Sequence, residues 1–342
     1  MHARLGELLE RLDDPARRAP AARLLHAVVG EAERAAHAPF SVTRLSLPGH
    51  RLRLLQLPSV FAPEQWSFTF YEGLRRIPHA DFEGRVVAEL GSGNGWISLA
   101  LARFGLPRKV YGLDINPRAV LSARLNAHLD ASAPDGSLLV DSTGKSLLDR
   151  IEFHVSDVLT WCRERRLTFD HIIGCIPQVL DPTLGRELDT HARSDGFLHA
   201  LSNYCGRQGF VEDRFGLGLM ARVLEESIEL LAPGGKVTFN LGGRPGRALL
   251  RRLFERRGYR VSEIWRTRAP QAEDTDIQSL VEIEARTDHR FEFFLGPQSE
   301  ESVGARTAAA FAAAGGTIYH SIHVYQGALE HSQQVKALFA VL

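Results

Sequence analysis

Three acidic side chains and three glycines carry the chemistry that can be read from this chain. Glu89 precedes Gly91, Gly93 and Gly95, with Asn94 and Trp96 among and after them. Glycines at this spacing allow a turn with positive φ and let a ligand lie against bare backbone, and a helix starting just beyond offers unpaired N–H groups. Asp114 stands about 20 residues further on, where a carboxylate can accept from both hydroxyls of a ribose; Ile115 and Asn116 follow it. Asp157, with Val158 beside it, is placed to accept from an adenine amino group. A second stretch, Cys175-Ile176-Pro177-Gln178, and a third, Gly242-Gly243-Arg244, contain the other polar groups near turns.

These residues need elements that bring them to one edge. Val86–Leu90 reads as a strand ending at the glycine turn, followed by a helix to about Phe104 and a second strand, Lys109–Leu113, ending on Asp114. Asn116-Pro117 opens the next helix, since proline's missing N–H costs nothing in a first turn. Ile151–Ser156 is the third strand and delivers Asp157; Phe169–Gly174 is the fourth and delivers Cys175. In open α/β sheets ligands bind beyond the carboxyl ends of the strands, so these loops should share one crevice. A helix over 217–231, strands over 236–241 and 259–267, and an antiparallel strand over 279–285 complete a seven-strand pattern.

The predicted organisation is an N-terminal helical cap and aromatic connector (1–80), an α/β core (81–290) with an irregular substrate or lid insertion (181–216), and a C-terminal α/β addition (291–342). Two or three amphipathic helices are expected in 2–37, broken at Asp14-Pro15 and Ala19-Pro20. Lys plus Arg and Asp plus Glu each total 41, a formal net charge of zero, which gives no sign of a nucleic-acid or anionic membrane partner. The 3 cysteines have no CxxC spacing, which points to a reducing, cytoplasmic setting without disulfides or zinc. His191, His199, His320 and His323 lack ligand spacing, and no metal is assigned.

The donor follows from the spacing. A dinucleotide fingerprint runs Gly-x-Gly-x-x-Gly to seat a pyrophosphate, whereas here Glu89 precedes Gly-x-Gly-x-Gly and suits an ammonium without phosphate. That is S-adenosylmethionine, and the expected fold is a class I S-adenosylmethionine-dependent methyltransferase: a Rossmann-like seven-stranded sheet with its last strand antiparallel. A nicotinamide-binding domain is the competing reading. The expected cofactor ligands are Glu89, Gly91, Gly93, Asn94, Gly95, Trp96, Asp114, Ile115, Asn116, Asp157, Val158 and Cys175.

The acceptor is harder to read. Enzymes methylating planar nitrogens place Asn/Asp/Ser-Pro-Pro-aromatic after the fourth strand, so that oxygens accept from the nitrogen. Cys175-Ile176-Pro177-Gln178 keeps one proline but lacks the leading oxygen and the aromatic. The runs SFTFYEGL, VAELGSGNGWIS, KVYGLDINPRAV, GCIPQVL, LSNYC, QGFVED, FGLGL, NLGGRPG, AEDTDI and LVEIE resemble the methyltransferase region of the methionine S-methyltransferase family, from about residue 55 to the C-terminus. Plant members carry a further aminotransferase-like region; this chain, ending at Leu342, resembles the short bacterial form, for which the family implies a role in dimethylsulfoniopropionate synthesis.

That resemblance implies free L-methionine as acceptor. A thioether sulfur has no proton to lose, so no general base is expected and catalysis is positional. Tyr71, Tyr204, Phe210 and Phe215 are candidates for an electron-rich wall around the cationic centre, with Trp66, Phe68 and Phe70 nearby in sequence. Arg244 is the candidate clamp for the substrate carboxylate; Glu212, Asp213 or Asp274 the candidate for its ammonium; Glu72 for either end. Ile176, Pro177 and Gln178 should line the acceptor, and Cys175 reads as a small hydrophobe and not a nucleophile. The aromatic C-terminal addition hints at self-association. Two other readings stand beside this one: a different small-molecule or protein amide acceptor, and a non-catalytic cofactor-binding module.

Overall fold

A computed structural model describes residues 2–35, 38–141, 143–180, 204–271 and 277–329. The chain forms two compact units, one of residues 1–64 and 78–174, the other of residues 65–77 and 175–342.

The first unit opens with helices α1 (His2–Asp13) and α2 (Arg18–Ala32). Leu5, Leu8, Leu9 and Leu12, spaced for one helical face, are buried with Leu25 and Val29 in a core that also holds Leu55, Leu125 and Leu129. The expected break at Pro20 does not occur, because Pro20 falls in the first turn of α2, where no N–H partner is lost. The stretch read as connector contains an antiparallel hairpin instead, β1 (Ser41–Leu47) and β2 (His50–Gln56), turned at Gly49 with φ +83.

Four parallel strands follow: β3 (Val86–Leu90), β4 (Lys109–Asp114), β5 (Ile151–Val155) and β6 (Phe169–Gly174), in the spatial order β5-β4-β3-β6. Helices α4 (Trp96–Phe104) and α5 (Pro117–Ala131) form the crossovers. All five residues of β3 are buried, as expected of a central parallel strand covered on both faces.

The second unit begins with α3 (Gln65–Leu74), so the aromatic run is a helix with Phe70 and Tyr71 buried. Gly73 is what lets α3 lie on the sheet, since a Cβ there would stand 2.5 Å from Val324. Strands β7 (Leu231–Gly242), β8 (Tyr259–Pro270) and β9 (Tyr319–Leu329) run in the order β7-β9-β8, with β9 antiparallel to both neighbours.

The predicted strand at 279–285 is incorrect: Ile277–Arg286 is a helix. Leu280, Ile283 and Glu284 face inward at helical spacing, and the buried Glu284 carboxylate accepts from the backbone N–H groups of Phe291 (2.7 Å) and Ala305 (2.9 Å). The antiparallel strand expected there is β9, which lies in the stretch assigned to the C-terminal addition. No helix among the described residues is long and apolar enough to cross a membrane.

Candidate active site

In the first unit the chain leaves β3 at a turn in which Gly91, Gly93 and Gly95 have φ of +67, +54 and +84. At Gly93 a Cβ would meet nothing within 4 Å, so the surface there is open; at Gly95 it would stand 2.8 Å from Phe153 and 2.9 Å from Ala123. One glycine exposes backbone to a ligand and the other lets α4 pack. Glu89 is only 1% exposed, and its carboxyl accepts from the hydroxyl and the backbone N–H of Ser98, in the first turn of α4. Burial pushes it up to about 8, against the lowering effect of Ser98. A carboxyl kept protonated by its surroundings ionises readily when a cation arrives, which fits the ammonium of an amino-acid ligand.

Asp114 ends β4 with one oxygen accepting from Gly93 N (2.8 Å) and the other from Asn116 N (2.9 Å). Each oxygen keeps a further lone pair, so the carboxylate can fix the glycine turn and still receive a ribose hydroxyl pair. Burial raises its pKa despite those two bonds. Ile115 is half-buried beside it, while Asn116 caps α5 by accepting from Arg118 N at 2.9 Å and donates to Ser59 O at 2.8 Å. Asp157 lies just past β5, and Val158 takes φ +49. That conformation is strained for a β-branched residue. It is held by Ser156, whose hydroxyl donates to Val158 O (2.8 Å) and accepts from Trp161 N (3.2 Å).

Asn94 and Trp96 have inward roles. Asn94 is 1% exposed; its amide donates to Gln56 Oε1 (2.7 Å) and accepts from Trp96 N (3.3 Å), and its carbonyl accepts from Asn126 Nδ2 (2.9 Å). Trp96 is buried. Asn126 also receives Leu55 N at 2.7 Å, and Ser122 donates to Leu55 O at 2.7 Å. This polar web of Gln56, Asn94, Ser122 and Asn126 ties the hairpin to the glycine turn. Sequence reasoning missed it; the available signal was the pair Ser122 and Asn126, one turn apart on a helix otherwise rich in apolar residues.

In the second unit Cys175–Leu180 lies against the end of β7. Gln178 uses its amide as a strand would, accepting from Gly242 N (2.8 Å) and donating to Gly242 O (3.3 Å). Asn240, on the same strand, donates to Trp66 O (2.8 Å) and to Cys175 Sγ (3.7 Å). Trp66, Cys175, Gln178, Asn240 and Gly242 therefore converge, with Ile176 buried and Pro177 half-buried in the same loop. Tyr71 is buried on α3, where burial raises its phenol, and the Arg75 guanidinium lies 5.9 Å from its ring centre.

The other expected substrate residues have partners of their own. Glu72 pairs with Arg76 at 2.7 Å and Arg75 at 3.5 Å. Tyr204 accepts from Arg222, and Phe210 faces the Arg257 guanidinium at 5.5 Å. Phe215 lies against His289, with ring centres 4.5 Å apart and the planes tilted by 52°. Glu212 is held by Arg257 at 3.0 Å, which lowers its pKa against the opposing effect of burial. One oxygen of Asp213 accepts from Gln208 N (3.1 Å) and Gly209 N (2.8 Å), and the other packs against Gly218, where a Cβ would stand only 1.6 Å away.

Arg244 turns the chain after β7, its carbonyl accepting from Glu292 N at 2.8 Å. Its charge adds to the burial that holds His320 down at about 3. Asp274, His191 and His199, and most of the 181–216 insertion, lie outside the described residues. Among the described residues no group of three or more His, Cys, Asp or Glu side chains is gathered to hold a metal.

A glycine turn after a central parallel strand, acidic residues at the next two strand ends and an antiparallel β9 define a methyltransferase sheet. A family profile, the methyltransferase small domain, matches residues 51–157. The chain belongs to the class I S-adenosylmethionine-dependent methyltransferases. Within that class it is 48% identical to the methionine S-methyltransferase of Hordeum vulgare and 47% to that of Arabidopsis thaliana, over 98% and 99% of its own length. It spans about a third of those relatives, 32% and 33% respectively. A putative protein N5-glutamine methyltransferase of Methanocaldococcus jannaschii is 30% identical, over 49% of this chain and 77% of that one. The expected kinship with methionine S-methyltransferases is thereby shown.

Proposed function

We propose that this chain methylates the thioether sulfur of free L-methionine, giving S-methyl-L-methionine and S-adenosylhomocysteine. The observation that carries the reading is identity of 48% to a methionine S-methyltransferase across 98% of the chain, acceptor loop included. The loop agrees with it, because Cys175-Ile176-Pro177-Gln178 offers no leading oxygen to a planar nitrogen and spends the amide of Gln178 on Gly242.

Bound S-adenosylmethionine supplies an electrophilic methyl: the acceptor's sulfur lone pair forms the new S–C bond, and the pair of the broken bond stays on the donor's sulfur. No proton moves, so the side chains have only to bind, align and exclude water. Glu89 would hold the donor's ammonium, Asp114 its ribose, and Asp157 with the Val158 backbone its adenine. Positive charge passes from one sulfonium to another, and Trp66 and Tyr71 offer ring faces suited to it. We further propose, from what the family resemblance implies, that the product serves dimethylsulfoniopropionate synthesis.

The test is incubation with methyl-labelled S-adenosylmethionine and methionine, with product identification by mass. S-methylmethionine is expected. Its absence, with cofactor binding intact, would overturn the reading. The Methanocaldococcus relative motivates a second arm with glutamine-containing peptides, in which no labelling is expected.

A further inference from the structure

We infer that Asn240 holds the ammonium group of the methyl acceptor, through its own side-chain oxygen, which is buried without a hydrogen-bond partner among the described residues. The inference rests on the proposed amino-acid acceptor and adds the group that recognises it. Asn240 is 0% exposed on β7, two residues before the strand ends at Gly242. Its orientation is fixed, because the atom 2.8 Å from the Trp66 carbonyl must be the NH2 group: a carbonyl oxygen can only accept. The other arm of the amide, Oδ1, is buried and has no hydrogen-bond partner among the described residues. Native structures rarely leave a buried acceptor unsatisfied, and a residue serving stability alone would be better apolar here.

The place of that oxygen gives it meaning. The NH2 group of Asn240 also reaches Cys175 Sγ at 3.7 Å, so the amide sits beside the first residue of the acceptor loop. That position carries an oxygen acceptor in nitrogen methyltransferases and a thiol here. The neighbouring strand thus brings to the loop the oxygen that the loop lacks. Phe239, the preceding residue, packs on Phe254, so alternation turns Asn240 to the opposite face, where α3 presents Trp66.

Glu212 and Asp213, expected to take the ammonium, each keep one buried oxygen without a hydrogen-bond partner among the described residues, but both carboxylates are already held by donors elsewhere, whereas Asn240 stands beside Trp66 and the acceptor loop. Glu212 is paired with Arg257, and Asp213 is bonded to two backbone N–H groups and packed on Gly218. A neutral amide oxygen in a dry site is a sufficient partner for an N⁺–H donor, and charge-assisted bonds are the stronger kind.

The experiment compares two acceptors that differ only in that group: methionine and its des-amino analogue, 4-(methylthio)butanoate. The wild-type chain should prefer methionine in kcat/KM by about tenfold or more. Asn240→Leu should abolish most of that preference, raising KM for methionine and lowering kcat/KM far more for methionine than for the analogue, with cofactor affinity intact. Asn240→Asp, which keeps an oxygen, should retain the preference and serves should the Leu variant fail to fold. Equal losses on both acceptors would mean a purely structural role, and an unaltered preference in Asn240→Leu would mean that a buried water satisfies the oxygen; either overturns the inference, as does loss of preference in Asn240→Asp. Wild-type protein that binds cofactor but methylates neither compound would instead overturn the proposed function, and this inference with it.

Discussion

Glu89 offers a direct test of the proposed ammonium contact, because it is a buried carboxyl with a raised pKa. Its ordinary pKa of 4.5 is raised to about 8 by burial, so below pH 8 the free protein carries it protonated. The sign follows from linkage: a folded-state pKa above the unfolded one favours the free fold at low pH, and that advantage is lost as pH rises through about 8. A bound ammonium demands the ionised form, so at pH 7 cofactor binding should release close to one proton, and affinity should tighten between pH 6 and 8. Calorimetry in two buffers of different ionisation enthalpy reads this directly; zero protons released would mean that Glu89 does not face the ammonium. Asp114 permits a sharper mutational test. Asp114→Asn keeps one oxygen and should weaken cofactor binding about tenfold, whereas Asp114→Ala also frees Gly93 N and Asn116 N and should cost about a hundredfold or more. Equal affinity across the three proteins would remove the ribose assignment.

At the scale of elements, the glycine turn is a packing device as much as a ligand seat. Gly95 combines φ +84 with neighbours at 2.8 and 2.9 Å, so Gly95→Ala should destabilise the chain by about 2–4 kcal/mol in denaturant titration, whereas Gly93→Ala meets only the φ penalty. A loss at Gly95 no larger than at Gly93 would contradict the packing role. This unit, β3 to α5, was the most legible part of the chain, because its signals are local: an apolar run, a glycine spacing, an acidic strand end and Asn116-Pro117. Elements whose identity depends on distant partners were not. Ser279–Ala285 alternates well enough to pass for a strand, and only the inward placing of Leu280, Ile283 and Glu284 shows the helix. The strand that takes its place, Tyr319–Leu329, is almost wholly buried between β7 and β8, and nothing in a linear reading says that a segment so late in the chain returns to the sheet. Among the residues proposed for the site, Glu89 and Asp114 stand out by position in the sequence; Asn240 does not, since its neighbours Trp66 and Cys175 are distant in the chain and meet it only in the fold.

Over the whole molecule, the proposed donor and acceptor residues sort by unit. The groups assigned to the donor, from Glu89 to Val158, belong to the first, and the cluster assigned to the acceptor, Trp66 with Cys175, Gln178, Asn240 and Gly242, belongs to the second. Cys175, expected with the donor's ligands, lies in the second unit beside Asn240, and we propose that it serves the acceptor. The consequence is that donor and acceptor affinity should be separable by mutation. Gln178 is the clearest probe, because its two bonds to Gly242 hold the acceptor loop on β7 without belonging to the first unit. Gln178→Ala should release that loop and raise KM for methionine about tenfold, while the dissociation constant for S-adenosylmethionine, measured without acceptor, changes less than about twofold. Asp114→Asn should do the reverse, weakening the donor while KM for methionine at saturating donor stays near the wild-type value. If Gln178→Ala weakens the donor as much as the acceptor, the loop serves both ligands, and Cys175 returns to the donor's side.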